Sequence, residues 1–255
     1  MALLTLVRAS ARLQNQAAVT VAMPDTVTGP LRTLWLLHGL GDNGSAWQRK
    51  TGIEQLAIAH NLAIVMPDMG RSFYVNTASH QPYWDYLTQE LMPQLQATLP
   101  LSTAPADRYV AGNSMGGFGA LRLAAAAPER FAAVMLLSPV VDLDSMPPIM
   151  PDYESVFAKG TPHDLIRREL QAAPVAALRR LRWYHTIGDE DFMKAANDDF
   201  ARFATRTLGL TLTQDNRPGG HDWAFWGPAM ARVLDWLDSG ASAPGNEEKI
   251  HGTND

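Results

Sequence analysis

Five short, nearly unbroken apolar runs mark the middle of the chain: Leu34-Trp35-Leu36-Leu37, Ile64-Val65-Met66, Tyr109-Val110-Ala111, Val134-Met135-Leu136-Leu137 and Trp183-Tyr184-His185-Thr186-Ile187. Runs this short that do not alternate with polar residues predict strands covered on both faces. Between them the spacing turns helical, at 53–60, at 83–99 with Leu87, Leu91, Leu95 and Leu99 four apart, at 119–127 and at 197–208. Pro93 should kink the second of these. The opening differs: residues 1–7 read as a first strand, and 13–23 alternate loosely as an antiparallel strand ended by Pro24-Asp25. A last strand at 210–213 precedes a glycine turn, and Trp226, Met230, Val233 and Leu237 form one stripe of a closing helix. Strand and helix alternating in this way predict an α/β fold with a mostly parallel central sheet flanked by helices on both faces.

One stretch breaks the rhythm. Residues 141–182 carry no strand signal; Pro147, Pro148 and Pro151 lead into a basic helical segment with Arg167-Arg168 and Arg179-Arg180. Because it follows the carboxyl end of a strand, it reads as a lid-like insertion beside the site. No linker divides the 255-residue chain, so residues 1–239 are expected to form a single domain, with 240–255 a polar, disordered tail.

Composition narrows the function. Apolar residues make up 46% and charged residues 18%, a globular balance, and a net charge of −5 argues against nucleic acid as a partner. The absence of cysteine excludes thiolate metal sites and leaves the redox compartment open. The apolar start is too short for a signal peptide, and no run approaches the roughly 20 apolar residues of a membrane span, so a cytoplasmic protein is expected. A homo-oligomer is compatible with the sequence.

The chemistry centres on Gly112-Asn113-Ser114-Met115-Gly116, which joins an apolar run to an alanine-rich helical stretch. That context predicts a nucleophile elbow, a strained strand-to-helix turn whose glycines avoid collisions while the serine hydroxyl projects from the sheet edge. A serine hydroxyl needs a general base, and the base needs an orienting acid. His221, in the loop Pro218-Gly219-Gly220-His221-Asp222-Trp223 after the last strand, is best placed to be the base. His185 reads as a core histidine within a strand, His163 belongs to the lid-like segment, and His251 to the tail. For the acid, Gly188-Asp189-Glu190-Asp191 offers three carboxylates that residue type does not separate, and Asp142 and Asp144 are further candidates. An oxyanion hole is expected from the backbone N–H groups of Met115 and of Leu40, the latter in His38-Gly39-Leu40-Gly41, a loop that the His38 side chain fixes by hydrogen bonding. Trp47, Trp84 and Phe118 are candidates for lining the substrate pocket. There is no phosphate loop, dinucleotide fingerprint or H-E-x-x-H zinc motif.

Four motifs together carry a resemblance: Leu37-His38-Gly39-Leu40-Gly41-Asp42-Asn43 followed by Trp47; Gly112-Asn113-Ser114-Met115-Gly116-Gly117-Phe118-Gly119-Ala120; Gly188-Asp189-Glu190-Asp191-Phe192; and Gly219-Gly220-His221-Asp222-Trp223. From about residue 10 to 238 the chain resembles the esterase D family of α/β hydrolases, and more narrowly its tributyrin esterase branch of short-chain carboxylesterases. The resemblance implies an α/β-hydrolase fold, a Ser-Asp-His triad, a small ester as substrate and no cofactor or metal. It also implies that the acid is the Asp followed by Phe, which is Asp191. S-formylglutathione hydrolases of the same superfamily usually read G-H-S-M-G-G-H-G at the elbow; Asn113, Phe118 and His38 depart from that pattern, which favours simple esters over a glutathione thioester. Acyl transfer to another alcohol would use the same triad.

Overall fold

The computed structural model describes residues 1–240. Eight strands form one sheet: β1 (Ala2–Ser10), β2 (Asn15–Met23), β3 (Arg32–Leu37), β4 (Leu62–Pro67), β5 (Arg108–Asn113), β6 (Ala133–Leu137), β7 (Arg182–Thr186) and β8 (Leu212–Gln214). Their order across the sheet is β1-β2-β4-β3-β5-β6-β7-β8. β2 pairs antiparallel with both β1 and β4, and every pair from β4 to β8 is parallel. This is the mostly parallel sheet the apolar runs predict, in the α/β-hydrolase arrangement the family resemblance implies. The predicted tail falls on residues 241–255, which lie outside the described residues.

The helices are α1 (Ala46–Lys50), α2 (Ile53–Ala59), α3 (Tyr83–Asp85), α4 (Met92–Thr98), α5 (Met115–Ala126), α6 (Tyr153–Val156), α7 (Leu165–Ala172), α8 (Val175–Leu178), α9 (Lys194–Arg206) and α10 (Trp223–Asp238). Successive strand residues feed opposite faces, which is why the runs are nearly unbroken in their apolar character. Trp35, Leu37, Val110, Val134, Leu136 and Trp183 join one core with α4, α5, α7 and α9. Leu34, Leu36, Tyr109, Ala111, Met135 and Tyr184 join the other, beneath α2 and α10.

At Pro93 the chain accommodates the ring by widening. A π-helical stretch, Tyr86–Leu91, links α3 to α4, and the Met92 N–H donates to Leu87 O, one residue further back than in an α-helix. Proline has no N–H to give and its ring crowds the carbonyl four residues back, so the wider turn relieves both conflicts. The 141–182 stretch forms the short helices α6, α7 and α8 before β7 begins at Arg182, in keeping with its lack of a strand signal. Its α7 packs on α5, where Arg122 makes a paired contact with Glu169 (2.9 Å).

Candidate active site

The elbow is held by sterics. Ser114 adopts φ 53°, ψ −117°, a conformation costly for any residue with a side chain. A Cβ on Gly112 would come within 2.3 Å of Gly116 C, and one on Gly116 within 2.2 Å of Leu37 O, so β5, α5 and β3 meet there backbone to backbone. Ser114 N–H donates to Leu137 O (3.0 Å) and its carbonyl accepts from Val140 N–H (3.0 Å), which ties the turn to β6 and the chain after it.

Two further loops converge on this serine. After β7, the chain 188–191 runs against the loop after β8: Asp189 N–H donates to Arg217 O (2.9 Å) and Glu190 N–H to Gly219 O (3.0 Å). A Cβ on Gly188 would lie 2.1 Å from Gly219 O, so the stitching requires glycine. It delivers Asp191 to His221. His221 Nδ1 lies 2.7 Å from Asp191 Oδ2, and His221 Nε2 lies 2.9 Å from Ser114 Oγ. Asp191 is buried, whereas Asp189 and Glu190 are exposed, so the structure separates three carboxylates that residue type left equivalent. Asp142 and Asp144 lie instead beside His163 (3.3 and 3.2 Å).

Burial alone would raise the Asp191 carboxyl, but the hydrogen bond and charge of His221, the Met193 N–H and the Ser138 hydroxyl together hold it below its ordinary value. The acid therefore stays ionised beside the imidazole. Ser138 is a residue sequence reasoning missed. Its Oγ also accepts from Trp226 Nε1 (3.2 Å), and the Trp226 ring meets His221 edge-on at 4.8 Å. The Phe192 ring packs against His221 at 4.9 Å. Phe192 belongs to the Asp191 motif itself, and Trp226 follows Trp223 of the His221 motif by three residues, which is the signal that could have found it.

A cavity of about 430 Å³ opens above Ser114. Leu40, Phe73, Met146, Ile149, Phe192 and Trp223 supply much of its apolar wall, and Met146 and Ile149 are the contribution of the 141–182 segment. The three aromatics expected to line the pocket do not. Trp47 is fully buried on the α10 side of the sheet, edge-on to Trp223, with Nε1 donating to Leu37 O (3.3 Å). Phe118 is fully buried on the other side between Phe73 and Phe157. Trp84 lies under the Arg122 guanidinium (4.4 Å), away from the serine. For Trp47 and Phe118 aromatic burial in a core won over exposure to a ligand, whereas Trp84 is half-buried at a separate surface. Gly39 and Leu40 do line the cavity, and neither Leu40 N–H nor Met115 N–H donates to any acceptor within the described residues. Met115 begins α5, where the first N–H groups have no partner in the helix.

The two remaining core histidines are neutral by arrangement. His185 is buried in β7 with Nε2 2.9 Å from Asn197 Oδ1, and the Asn197 amide donates to Pro139 O and Met193 O, so the ring nitrogen is the donor. Burial pushes its pKa down. His38 is buried behind the Gly39-Leu40 loop, and burial lowers its pKa as well. No described helix is long and apolar enough to cross a membrane.

Comparison with known proteins agrees with this geometry. Residues 10–237 match the family described as "Putative esterase". An acetyl esterase of Caldicellulosiruptor saccharolyticus is 26% identical over 222 residues, covering 81% of this chain and 83% of the relative. Two Staphylococcus aureus structures superpose closely. The fluorophosphonate-binding serine hydrolase FphF has 30% identity and TM-score 0.84 over 92% of this chain and 98% of its own. The S-formylglutathione hydrolase FrmB has 31% identity and TM-score 0.80 over the same shares. The chain belongs to this esterase family of α/β hydrolases, and it is a serine hydrolase of carboxylic esters.

Proposed function

We propose that the protein hydrolyses short-chain acyl esters, acetyl esters among them, through an acyl-enzyme, as in the tributyrin esterase branch. In this reading Ser114 Oγ attacks the ester carbonyl carbon while His221 Nε2 takes its proton. The oxyanion is met by the Leu40 and Met115 N–H groups, and Asp191 stabilises the imidazolium. Collapse releases the alcohol, which leaves with the proton from His221. A water molecule, deprotonated by the same nitrogen, then attacks the acyl group and frees the acid. The observation that carries this is the unbroken contact from Asp191 Oδ2 through His221 to Ser114 Oγ, at 2.7 and 2.9 Å.

The cavity supports a small, uncharged substrate. Its volume of about 430 Å³ is near the lower end for ligand sites, and its wall carries the carboxylates Asp42 and Asp222 without a lysine or arginine. A glutathione thioester brings carboxylates of its own, which such a wall repels. Similarity to an S-formylglutathione hydrolase nevertheless makes thioester hydrolysis the second reading. Side-by-side kcat/KM values on p-nitrophenyl acetate and S-formylglutathione decide between them, with the aryl ester expected to be the better substrate. Ser114→Ala should lower kcat on the order of 10⁶-fold and abolish fluorophosphonate labelling of the peptide containing residue 114. Wild-type turnover by Ser114→Ala would end the proposal.

A further inference from the structure

Three successive carbonyls at the end of β3 are each held by a different side chain. Trp47 Nε1 donates to Leu37 O (3.3 Å), Tyr74 Oη to His38 O (2.9 Å), and His38 Nδ1 lies 2.9 Å from Gly39 O. The tautomer of the last contact is fixed. Met69 N–H donates to His38 Nε2 (3.0 Å), and a backbone N–H can only donate, so Nε2 carries a lone pair and the proton sits on Nδ1. His38 therefore donates to Gly39 O.

That carbonyl shares one planar amide with the Leu40 N–H, and in a trans peptide the two point in opposite directions. His38 is 1% exposed and lies behind the cavity wall, while Gly39 and Leu40 line the cavity with Ser114. Drawing the Gly39 carbonyl back toward the ring turns the Leu40 N–H away from the ring. A rotation of this one peptide unit would replace the donor with a carbonyl oxygen, repelling the charge that develops in the transition state.

We infer that His38 is a positioning residue for ester hydrolysis: locked by Met69 as the Nδ1–H tautomer, and backed by Tyr74 and Trp47 on the preceding two peptides, it fixes the Leu40 N–H as an oxyanion donor before substrate arrives. The inference rests on the proposed role of Ser114 and the Leu40 N–H. The same Gly39 carbonyl also accepts from the Asp42 N–H (3.3 Å), a longer turn contact that the His38 donor reinforces.

The test is transition-state binding rather than activity alone. In the full chain, His38→Gln, whose amide falls near the Nε2 position, should lower kcat on p-nitrophenyl acetate about 10²-fold with KM within about twofold. The inhibition constant of phenylboronic acid, whose serine adduct presents an oxygen to the same donors, should rise by a similar factor. His38→Asn, whose amide can replace the Nδ1–H donor, should recover most of both. Tyr74→Phe, which removes one hydroxyl and keeps the ring, should cost about fivefold in kcat and in boronate affinity, and it carries the test if His38→Gln does not fold. Wild-type kcat and boronate affinity in folded His38→Gln or in Tyr74→Phe, or equal losses in the Asn and Gln variants, would overturn the inference. If Ser114→Ala is inert while these variants are unimpaired, this inference alone fails; if Ser114→Ala is fully active, the triad reading itself fails.

Discussion

The rim and the wall of one cavity are held in place by different forces. The rim, made by the loops after β3, β5, β7 and β8, is fixed where backbone meets backbone, Gly112 against Gly116, Gly116 against Leu37 and Gly188 against Gly219, with buried side chains bracing the loop after β3. The wall that residues 141–182 contribute is held by side chains and single hydrogen bonds, among them Leu143 N–H to His163 O (2.9 Å) and the Arg71–Asp152 pair (2.6 Å). Ile149, on that wall, is 49% exposed, while Ser114 is 8% exposed. A rim with no room to relax keeps the reacting groups within tenths of an ångström. The wall combines the half-exposed Ile149 with the buried Met146, and rim and wall should respond very differently to substitution.

After Ser114 itself, the largest effect is expected at the acid. Asp191→Asn should reduce kcat about 10⁴-fold, because the amide no longer favours the reactive tautomer of His221. The exposed neighbours Asp189→Asn and Glu190→Gln should stay within about twofold, since neither side chain reaches the imidazole. A larger loss at Asp189 would mean that the rim is not ordered as the distances indicate. Next comes the steric joint itself. Gly116→Ala sets a methyl 2.2 Å from Leu37 O and should destabilise the fold by about 3 kcal/mol or more in denaturant unfolding. Gly29→Ala, where nothing lies within 4 Å of the added methyl, serves as the control and should shift stability by less than about 0.5 kcal/mol.

That contrast also explains what was legible in the sequence. β3 to β7 announced themselves because both faces are covered, so nearly every position in the runs is apolar, His185 and Thr186 of β7 being buried exceptions. The elbow and the glycine loops were legible because local backbone geometry demands particular residues at particular spacings. His221 followed from its place after the last strand. Residue type alone did not choose among Asp189, Glu190 and Asp191, because burial is a property of the fold; only the family motif pointed to Asp191. The pocket was misread for the same reason. Trp47, Trp84 and Phe118 have the chemistry of a binding wall, but which side of the sheet an aromatic enters depends on packing between segments distant in sequence. Met146 and Ile149 reach the cavity through a proline-rich stretch with no periodicity to read.

The wall should yield smaller changes and change selectivity rather than rate. Ile149→Ala and Met146→Ala enlarge the cavity without touching Ser114 or His221. In a series of p-nitrophenyl esters from acetate to octanoate, each should shift the preferred acyl length upward. Catalytic efficiency on acetate should fall less than about tenfold, the range expected for one or two methylenes in an apolar pocket. An unchanged chain-length profile in both variants would show that this part of the wall does not meet the acyl chain.

The finest distinction is a pH effect on the rim. His38 and His185 are neutral in the folded protein, their pKa values lowered chiefly by burial; Asp68 and Asp42 oppose the shift at His38 and Asp198 at His185, where Lys194 reinforces it. In the unfolded chain both titrate near about 6.5. Below that value the unfolded state binds more protons than the folded one, so stability increases with pH across this window and falls as the solution is acidified through it. The thermal midpoint should therefore drop by a few degrees between about pH 7.5 and pH 5.5, before the carboxylates titrate. Asp191 acts at lower pH: its depressed folded value adds stability above the unfolded carboxyl range, near about 3.9, and this is lost only as pH falls through the folded value. His185→Gln can retain a donor to Asn197 while removing one titrating ring, so it should flatten the slope between pH 7.5 and 5.5 without altering the ester preference. An unchanged slope in that variant would place the acid sensitivity outside the buried strand.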